Sequence, residues 1–485
     1  MKKRFSRKIA VSMLMCFLAL FMLLSTTLHA NSNIVSPEIQ EHLLNELSRL
    51  RIPNTAIAII NGGDVQFISS DSNYDMLFQI GSVSKSFTGF GILLLEDMGL
   101  LSLNDPINMH LPWFEMYYQG APMPHQDMTI ANLLTQTDGV VISPPSEPTV
   151  DNLIAYTTGS ELAFFPGQRF SYTGTNYIFL GLIIEAVSGR SYDDFMTQYV
   201  LHPLGLYNTF TNSDHAYATG LVAGGHRLGF LRARQHNVPV VPLMIPTGWI
   251  YSNITDMARW AQIHMGVVDV GEQLARVAQR TQQYIPTAGQ PFEGLDEFYA
   301  AGWQVHFYGG RVQHNGLTEA YFSMVDMFPY RNEAVVMLTN MQYRPATVIR
   351  AVNDAIWEIV GGDLARTLPP NSNTVYDIID TCFVIAGIIT TALFLLLVVR
   401  FIKKIRNKQS IRFKITFKVM LLSLLPLSLL AVAVGMPMLI VAVSGMSLQM
   451  ALLNMPASAF PATIATIAMA VYAFCFWISR MFVFE

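Results

Sequence analysis

Apolar and polar positions follow three regimes along this chain. A basic start at Lys2, Lys3, Arg4, Arg7 and Lys8 leads into an uncharged run over about residues 9–24. From 31 to about 362, apolar residues come in short bursts separated by turn formers, and beyond 380 they fuse into long uncharged stretches. Within the middle region, 55–60 is apolar, Asn61-Gly62-Gly63 interrupts it and 65–69 resumes, which predicts a hairpin. Phe87, Phe90, Leu94 and Leu95 recur at helical spacing over 84–98, with Gly99 as C-terminal cap. Residues 300–308, 312–316, 321–328 and 334–339 read as strands and 347–360 as a closing helix. Strands at both ends with helical material between them predict an α+β domain whose single sheet is built from both ends of the chain.

The two flanking regimes read as membrane signals. Residues 1–30 have the layout of an export signal, with Leu28-His29-Ala30 as a cleavage site; the alternative is an uncleaved anchor. Both place the following domain, 31–362, outside the cytoplasm. Residues 381–399 carry no charge and are long enough to cross about 30 Å of hydrocarbon as a helix. Between Lys418 and Arg480 there is no charge either, which gives room for two more spans. An all-α membrane block over 377–485 is therefore expected, with spans near 378–400, 419–443 and 457–478. A linker at 363–376 contains Pro369-Pro370. Arg400, Lys403, Lys404, Arg406, Lys408, Arg412, Lys414 and Lys418 fall between the first two spans with no acid among them. Positive loops stay inside, so the C-terminus is expected in the cytoplasm and the lipid bilayer as a partner.

Composition agrees with that division. The chain is 52% hydrophobic and 13% charged, against about a quarter charged in soluble chains. Its formal charge of −4 hides an acidic region, −17 over 31–380, and a basic remainder, +13. An acidic exported domain will not attract nucleic acid, and the chain has no Gly-rich phosphate loop. Cys16 lies in the signal and Cys382 and Cys475 in expected spans, so the domain has no disulfide, thiolate nucleophile or thiolate metal ligand. Histidines are scattered without a metal-binding motif. Neither metal nor cofactor is expected.

One basic residue is unlike the rest. Across residues 9–402, 16 basic side chains are arginine and only Lys85 is lysine. It follows Ser82 by three positions in Gly81-Ser82-Val83-Ser84-Lys85, so both side chains share a face at a helix start. Only an amine can lose its proton near neutral pH when desolvated, and a helix N-terminus favours the neutral amine and a serine alkoxide alike. A Ser-x-x-Lys pair is weak alone, but two further segments accompany it. Pro166-Gly167 precedes Phe170-Ser171-Tyr172-Thr173-Gly174-Thr175-Asn176-Tyr177, and His314-Asn315-Gly316 stands in a strand-like stretch ahead of Thr318.

With these motifs the chain resembles the serine β-lactamase and penicillin-binding-protein superfamily, in the branch of class C β-lactamases and serine D-peptidases. The likeness extends through 78–87, 100–106, 129–139 (TIANLLTQTDG), 166–189 and 248–261, in order over roughly 35–360. It implies a β-lactamase/transpeptidase-like fold, an antiparallel sheet with a helical subdomain. It also implies a serine hydrolase. By resemblance Ser82 is the acylated nucleophile and Lys85 its proton acceptor. Tyr172 is general base and then acid, its phenol lowered by neighbouring cations, and the choice of base between it and Lys85 stays open. His314 stands where many members have lysine. The backbone N–H groups of Ser82 and Leu317 form the oxyanion hole, and Gly174, Asn315, Gly316 and Thr318 line the substrate site.

Two departures bear on the substrate. The second motif usually reads Tyr-x-Asn, its asparagine touching the substrate amide; Gly174 replaces it and argues against efficient penicillin hydrolysis. Where many relatives continue Thr-Pro-Gly, this chain has Thr318-Glu319-Ala320, and Glu319 faces either the pocket or solvent. The aromatic residues Trp113, Phe114, Tyr117 and Tyr118 either line the cleft or pack ordinarily. The expected activity is that of a membrane-anchored hydrolase of D-amino-acid peptides, amides or esters of the cell envelope. Alternatives are a prodrug-maturing D-amino-acid peptidase, a β-lactamase and a catalytically silent penicillin-binding sensor. No Gly-x-Ser-x-Gly elbow supports an α/β-hydrolase.

Overall fold

In the computed structural model the described residues are 34–341, apart from 50–51, 143–147, 231, 287–296 and 308, with scattered positions from 381 to 484. The hairpin predicted at 55–69 forms. Strand β1 (Thr55–Asn61) runs antiparallel to β2 (Asp64–Ser69), with Asn61 opposite Asp64 around Gly62-Gly63. Five further strands come from the other end of the domain: β3 (Glu297–Tyr299), β4 (Gln304–His306), β5 (Val312–Leu317), β6 (Phe322–Phe328) and β7 (Glu333–Thr339). The sheet is antiparallel, in the order β3-β4-β5-β6-β7-β1-β2, so β7 and β1 join the two ends of the domain.

Both faces of this sheet are covered, which explains why β1 is apolar from Ala56 to Ile60 instead of alternating and why β6 is buried along its whole length. Ala56, Ala58 and Ile60 of β1 face the main core, which includes Trp260 of α4 (Ile254–His264). Ile57 and Ile59 face the opposite way, toward Leu43 of α1 (Pro37–Arg49). Between sheet and helical subdomain runs α2 (Ser84–Asp97), buried on every side from Ser84 to Leu95. Phe87 stacks on Trp260 at 4.0 Å, and α3 (Thr175–Ser188) packs alongside α2. Gly99 stands just beyond α2 at φ +70°, the left-handed position expected of it.

Two expectations change. The strand expected over 300–308 is confined to β4 (Gln304–His306): Ala300–Trp303 is a turn that reverses the chain between β3 and β4, and Ala300 N–H donates to Trp303 O at 2.8 Å. Gly302 makes that reversal at φ +86°, its Cα pressed on the backbone of α2; a Cβ there would stand 2.5 Å from the Lys85 carbonyl carbon. Tertiary contact thus bends a stretch that is apolar enough to read as strand. The aromatic residues of 113–118 are partly ordinary packing: Phe114 is buried edge-on against Phe179 of α3, centroids 5.1 Å apart, and Trp113 packs beside it. The signal 1–30, the closing helix 347–360 and the linker 363–376 lie outside the described residues, as do the spans 378–400, 419–443 and 457–478 apart from scattered positions. Among the described residues no helix is long and apolar enough to cross a membrane.

Candidate active site

Ser82 sits on the single 3-10 turn Gly81–Val83 that feeds α2. Backbone contacts on two sides hold that turn: Ile80 N–H donates to Ile250 O at 2.9 Å, and Ser323 Oγ of β6 donates to Ile80 O at 2.6 Å. Gly81 lies at φ +53° with its Cα against β5, so close that a Cβ would overlap Leu317 N and stand 2.6 Å from Gly316 C. Thr318 N–H donates to Tyr321 O at 3.1 Å, which makes Thr318 and Tyr321 a hydrogen-bonded pair of the β5–β6 ladder. Such pairs alternate, so Leu317, opposite Phe322, turns its N–H away from β6. The serine turn lies on the side that this N–H faces.

Lys85, in the first turn of α2, is only 2% exposed. Its Nζ lies 3.0 Å from Ser82 Oγ and donates to Thr247 O at 2.7 Å. Burial without a carboxylate partner disfavours its charged form and brings its pKa down from 10.5 to about 7. In the neutral amine one N–H serves Thr247 O, and the lone pair is available to the serine proton.

Tyr172 stands across from this pair, with Lys85 Nζ 5.0 Å from its ring centroid. Its ring meets that of Tyr299 edge-on, with centroids 5.9 Å apart. The side chain as a whole is 43% exposed. The resemblance implies a phenol lowered by cations, whereas loss of hydration raises its pKa, against smaller lowering by Ser82 and Tyr299. The phenol therefore keeps its proton at neutral pH.

His314, on β5, closes the group. It is 4% exposed, and burial, then the Lys85 charge, lowers its pKa to about 3, so it is a neutral imidazole. Nδ1 lies 2.7 Å from Asn315 O, an acceptor only, so Nδ1 carries the proton. Nε2 then accepts from the Tyr299 hydroxyl at 3.0 Å. His314 brings no positive charge to the site.

The structure thus brings Ser82, Lys85, Tyr172 and His314 together, with Gly316 and Leu317 against the serine turn. Gly174 lies at the start of α3. Asn315 is exposed, its backbone carbonyl taken by His314. Thr318 is 6% exposed, and its Oγ1 accepts from Tyr321 N–H at 3.2 Å, securing the β5–β6 turn. Glu319 faces neither an empty pocket nor open solvent: half-buried, it lies 2.8 Å from His236 Nε2.

Three participants had no assigned role from the sequence. Tyr299 ends β3, just ahead of the stretch read as strand, and Thr247 lies on the short helix Ile245–Gly248 without a recognisable motif. Gln136 holds Tyr172 from both sides: its backbone carbonyl accepts from Ser171 N–H at 2.8 Å and its Oε1 from Thr173 N–H at 2.9 Å. Asn176 Nδ2 donates to the same Oε1 at 2.8 Å and to Asp138 Oδ2. Asp138 is buried, and its pKa is raised to about 7 by that burial. The polar run Thr135–Asp138, embedded in apolar sequence, was the available signal.

The buried lysine predicts a pH-dependent stability. Between about pH 7 and 10.5 the unfolded chain holds the Lys85 proton and the folded chain does not, so the lysine's contribution to stability rises with pH across that window. Lys85→Met removes this pH-dependent contribution. Its stability relative to wild type is expected to be greatest near pH 7 and to decline toward pH 10, by up to about 1.4 kcal/mol per unit. Denaturant titrations at several pH values check this, and parallel wild-type and variant curves would contradict it.

A family model described as Beta-lactamase matches residues 39–356. Protein flp of Staphylococcus aureus (strain MW2) is 29% identical over 343 residues, covering 65% of this chain and 66% of its own length. The chain thus spans just under two thirds of that relative. Penicillin-binding protein 4 of Amycolatopsis lactamdurans is 25% identical over 351 residues, covering 66% of this chain and 89% of its own. Among solved structures, D-alanine carboxypeptidase AmpC from Burkholderia cenocepacia matches with a TM-score of 0.56 at 20% identity. That match covers 67% of this chain and 99% of the other.

Proposed function

This chain belongs to the beta-lactamase family, and from that membership we propose that it is a serine hydrolase working through an acyl-enzyme on Ser82. The observation that carries the reading is the 3.0 Å approach of a buried, readily neutral Lys85 to Ser82 Oγ. Lys85 takes the serine proton as Oγ attacks the substrate carbonyl. The developing oxyanion is met by the N–H groups of Ser82 and Leu317, each contributing about 3 kcal/mol to the transition state. Tyr172, protonated, donates to the leaving group. The substrates are D-amino-acid peptides, amides or esters of the cell envelope. A relative named for penicillin binding and a fold neighbour titled a D-alanine carboxypeptidase are in keeping with that class. The uncharged runs beyond residue 380 and the basic segment 400–418 support attachment to a membrane, with the catalytic domain outside the cytoplasm.

Labelling of the full chain by a fluorophosphonate and by a fluorescent penicillin, with Ser82→Ala beside wild type, tests the proposal. Fluorophosphonate labelling is expected in wild type and absent from the variant. If no acylating probe labels either protein, the hydrolase reading falls and a silent sensor takes its place.

A further inference from the structure

Five described residues other than glycine adopt left-handed backbone. Ser72, Gln119, Phe230 and Asn332 are exposed, and Gln136 is buried. Thr135 caps the short helix Ile130–Leu134, and Gln136 follows it at φ +61° with 0% exposure. Glycine is the usual residue at that place after a helix, because a Cβ is strained there. A glutamine kept in a strained and buried position points to a use for its side chain.

That use lies in the segment carrying Tyr172. Residues 171–173 belong to no helix or strand, so no ladder holds them. The N–H groups on either side of Tyr172 both go to Gln136: Ser171 N–H to its backbone carbonyl at 2.8 Å, and Thr173 N–H to its Oε1 at 2.9 Å. Only the amide oxygen can accept from a backbone N–H, which fixes the orientation of the side chain. The same oxygen accepts from Asn176 Nδ2 at 2.8 Å, whereas Nε2 has no hydrogen-bond partner among the described residues. The turn around Gln136 is itself pinned. Thr137 N–H donates to Asn132 O at 2.9 Å, and Thr137 O accepts from Gly167 N–H at 2.7 Å.

We propose that Gln136 is a positioning residue for the leaving-group acid: its side-chain oxygen sets where Tyr172 stands relative to the departing atom. This rests on the proposed acyl-enzyme and on Tyr172 as the proton donor in it. A leaving group that is stable as an anion needs little help from an acid, and an alkoxide needs much. Release of the Tyr172 segment therefore penalises alkyl esters more than activated aryl esters. A misplacement of about 1 Å costs about a hundredfold in rate.

The test compares kcat/KM on the ethyl and the 4-nitrophenyl esters of N-acetyl-D-alanine in wild type, Gln136→Met, Gln136→Gly, Tyr172→Phe and Gln136→Met/Tyr172→Phe. Methionine keeps the length of the side chain without its acceptor. Glycine suits φ +61° and keeps the backbone bond to Ser171. Each single change at 136 is expected to lower the ratio of ethyl-ester to 4-nitrophenyl-ester activity by about tenfold or more. In the Tyr172→Phe background the methionine change is expected to lower that ratio by less than about twofold, because the acid it positions is gone. Equal losses on the two esters in a folded variant would overturn the proposal. So would an undiminished fall of the ratio in the Tyr172→Phe background, since a merely structural role acts with or without the phenol. If Gln136→Met does not fold, Gln136→Gly is read by the same criteria, alone and combined with Tyr172→Phe. Loss of the acyl-enzyme reading is separately visible as wild type that no fluorophosphonate labels at Ser82.

Discussion

Lys85→Arg is expected to slow acylation of Ser82 by about a thousandfold, nearly as far as Ser82→Ala. The reason is protonation rather than charge. Lys85 lies behind the serine with one N–H held by Thr247 O, and burial has brought its pKa to about 7, so a lone pair is available near neutral pH. A guanidinium keeps its proton at any working pH, and its planar fork does not fit a position 2.7 Å from one backbone carbonyl and 3.0 Å from Oγ. The wild-type acylation rate is accordingly expected to rise as pH passes upward through about 7 and then level off, a limb the arginine variant lacks. Pseudo-first-order labelling rates with a fluorophosphonate from pH 5 to 9 measure both effects. Should the arginine variant keep more than about a tenth of the wild-type rate, a barrier change below ~1.4 kcal/mol, the lysine is not the base.

Gly81→Ala is expected to cost both stability and rate. At φ +53° an L-residue is strained by about 1–2 kcal/mol, and the added methyl would overlap Leu317 N, a backbone atom without a side chain's freedom to move aside. Together these are expected to destabilise the domain by about 3 kcal/mol or more. Relief comes only by parting β5 from the serine turn, which carries the Leu317 N–H away from the reacting carbonyl. Loss of one such donor lowers kcat by about 10²–10³-fold. Chemical denaturation and acylation rates on the same preparation measure the two effects. An alanine variant with wild-type stability and rate would show that β5 does not bear on the serine turn as described.

The sheet and the nucleophile were legible for different reasons. β1 and β2 could be read because Asn61-Gly62-Gly63 is turn chemistry within a few residues, and α2 because its apolar residues repeat at helical spacing and end at Gly99. Ser82 and Lys85 were legible because three residues along a helix is a distance that local geometry sets. Tyr299 was not: it ends β3 only because Gly302 is pressed on α2, a contact between segments some 200 residues apart in the chain. Thr247 shows no local signal at all. Its carbonyl acquires meaning only beside Lys85.

Residue spacing and the turn formers between apolar runs were therefore enough to specify the hairpin, the buried helix and the serine–lysine pair, because each is set by neighbours along the chain. Protonation states were decided by the tertiary structure. Lys85 is brought to about 7 and His314 to about 3 by burial, while Tyr172 moves the opposite way from the expectation based on nearby cations. Charge in the sequence counts the same at every position. Its cost in a folded protein depends on how much water remains around the group, and that is set by packing from distant segments.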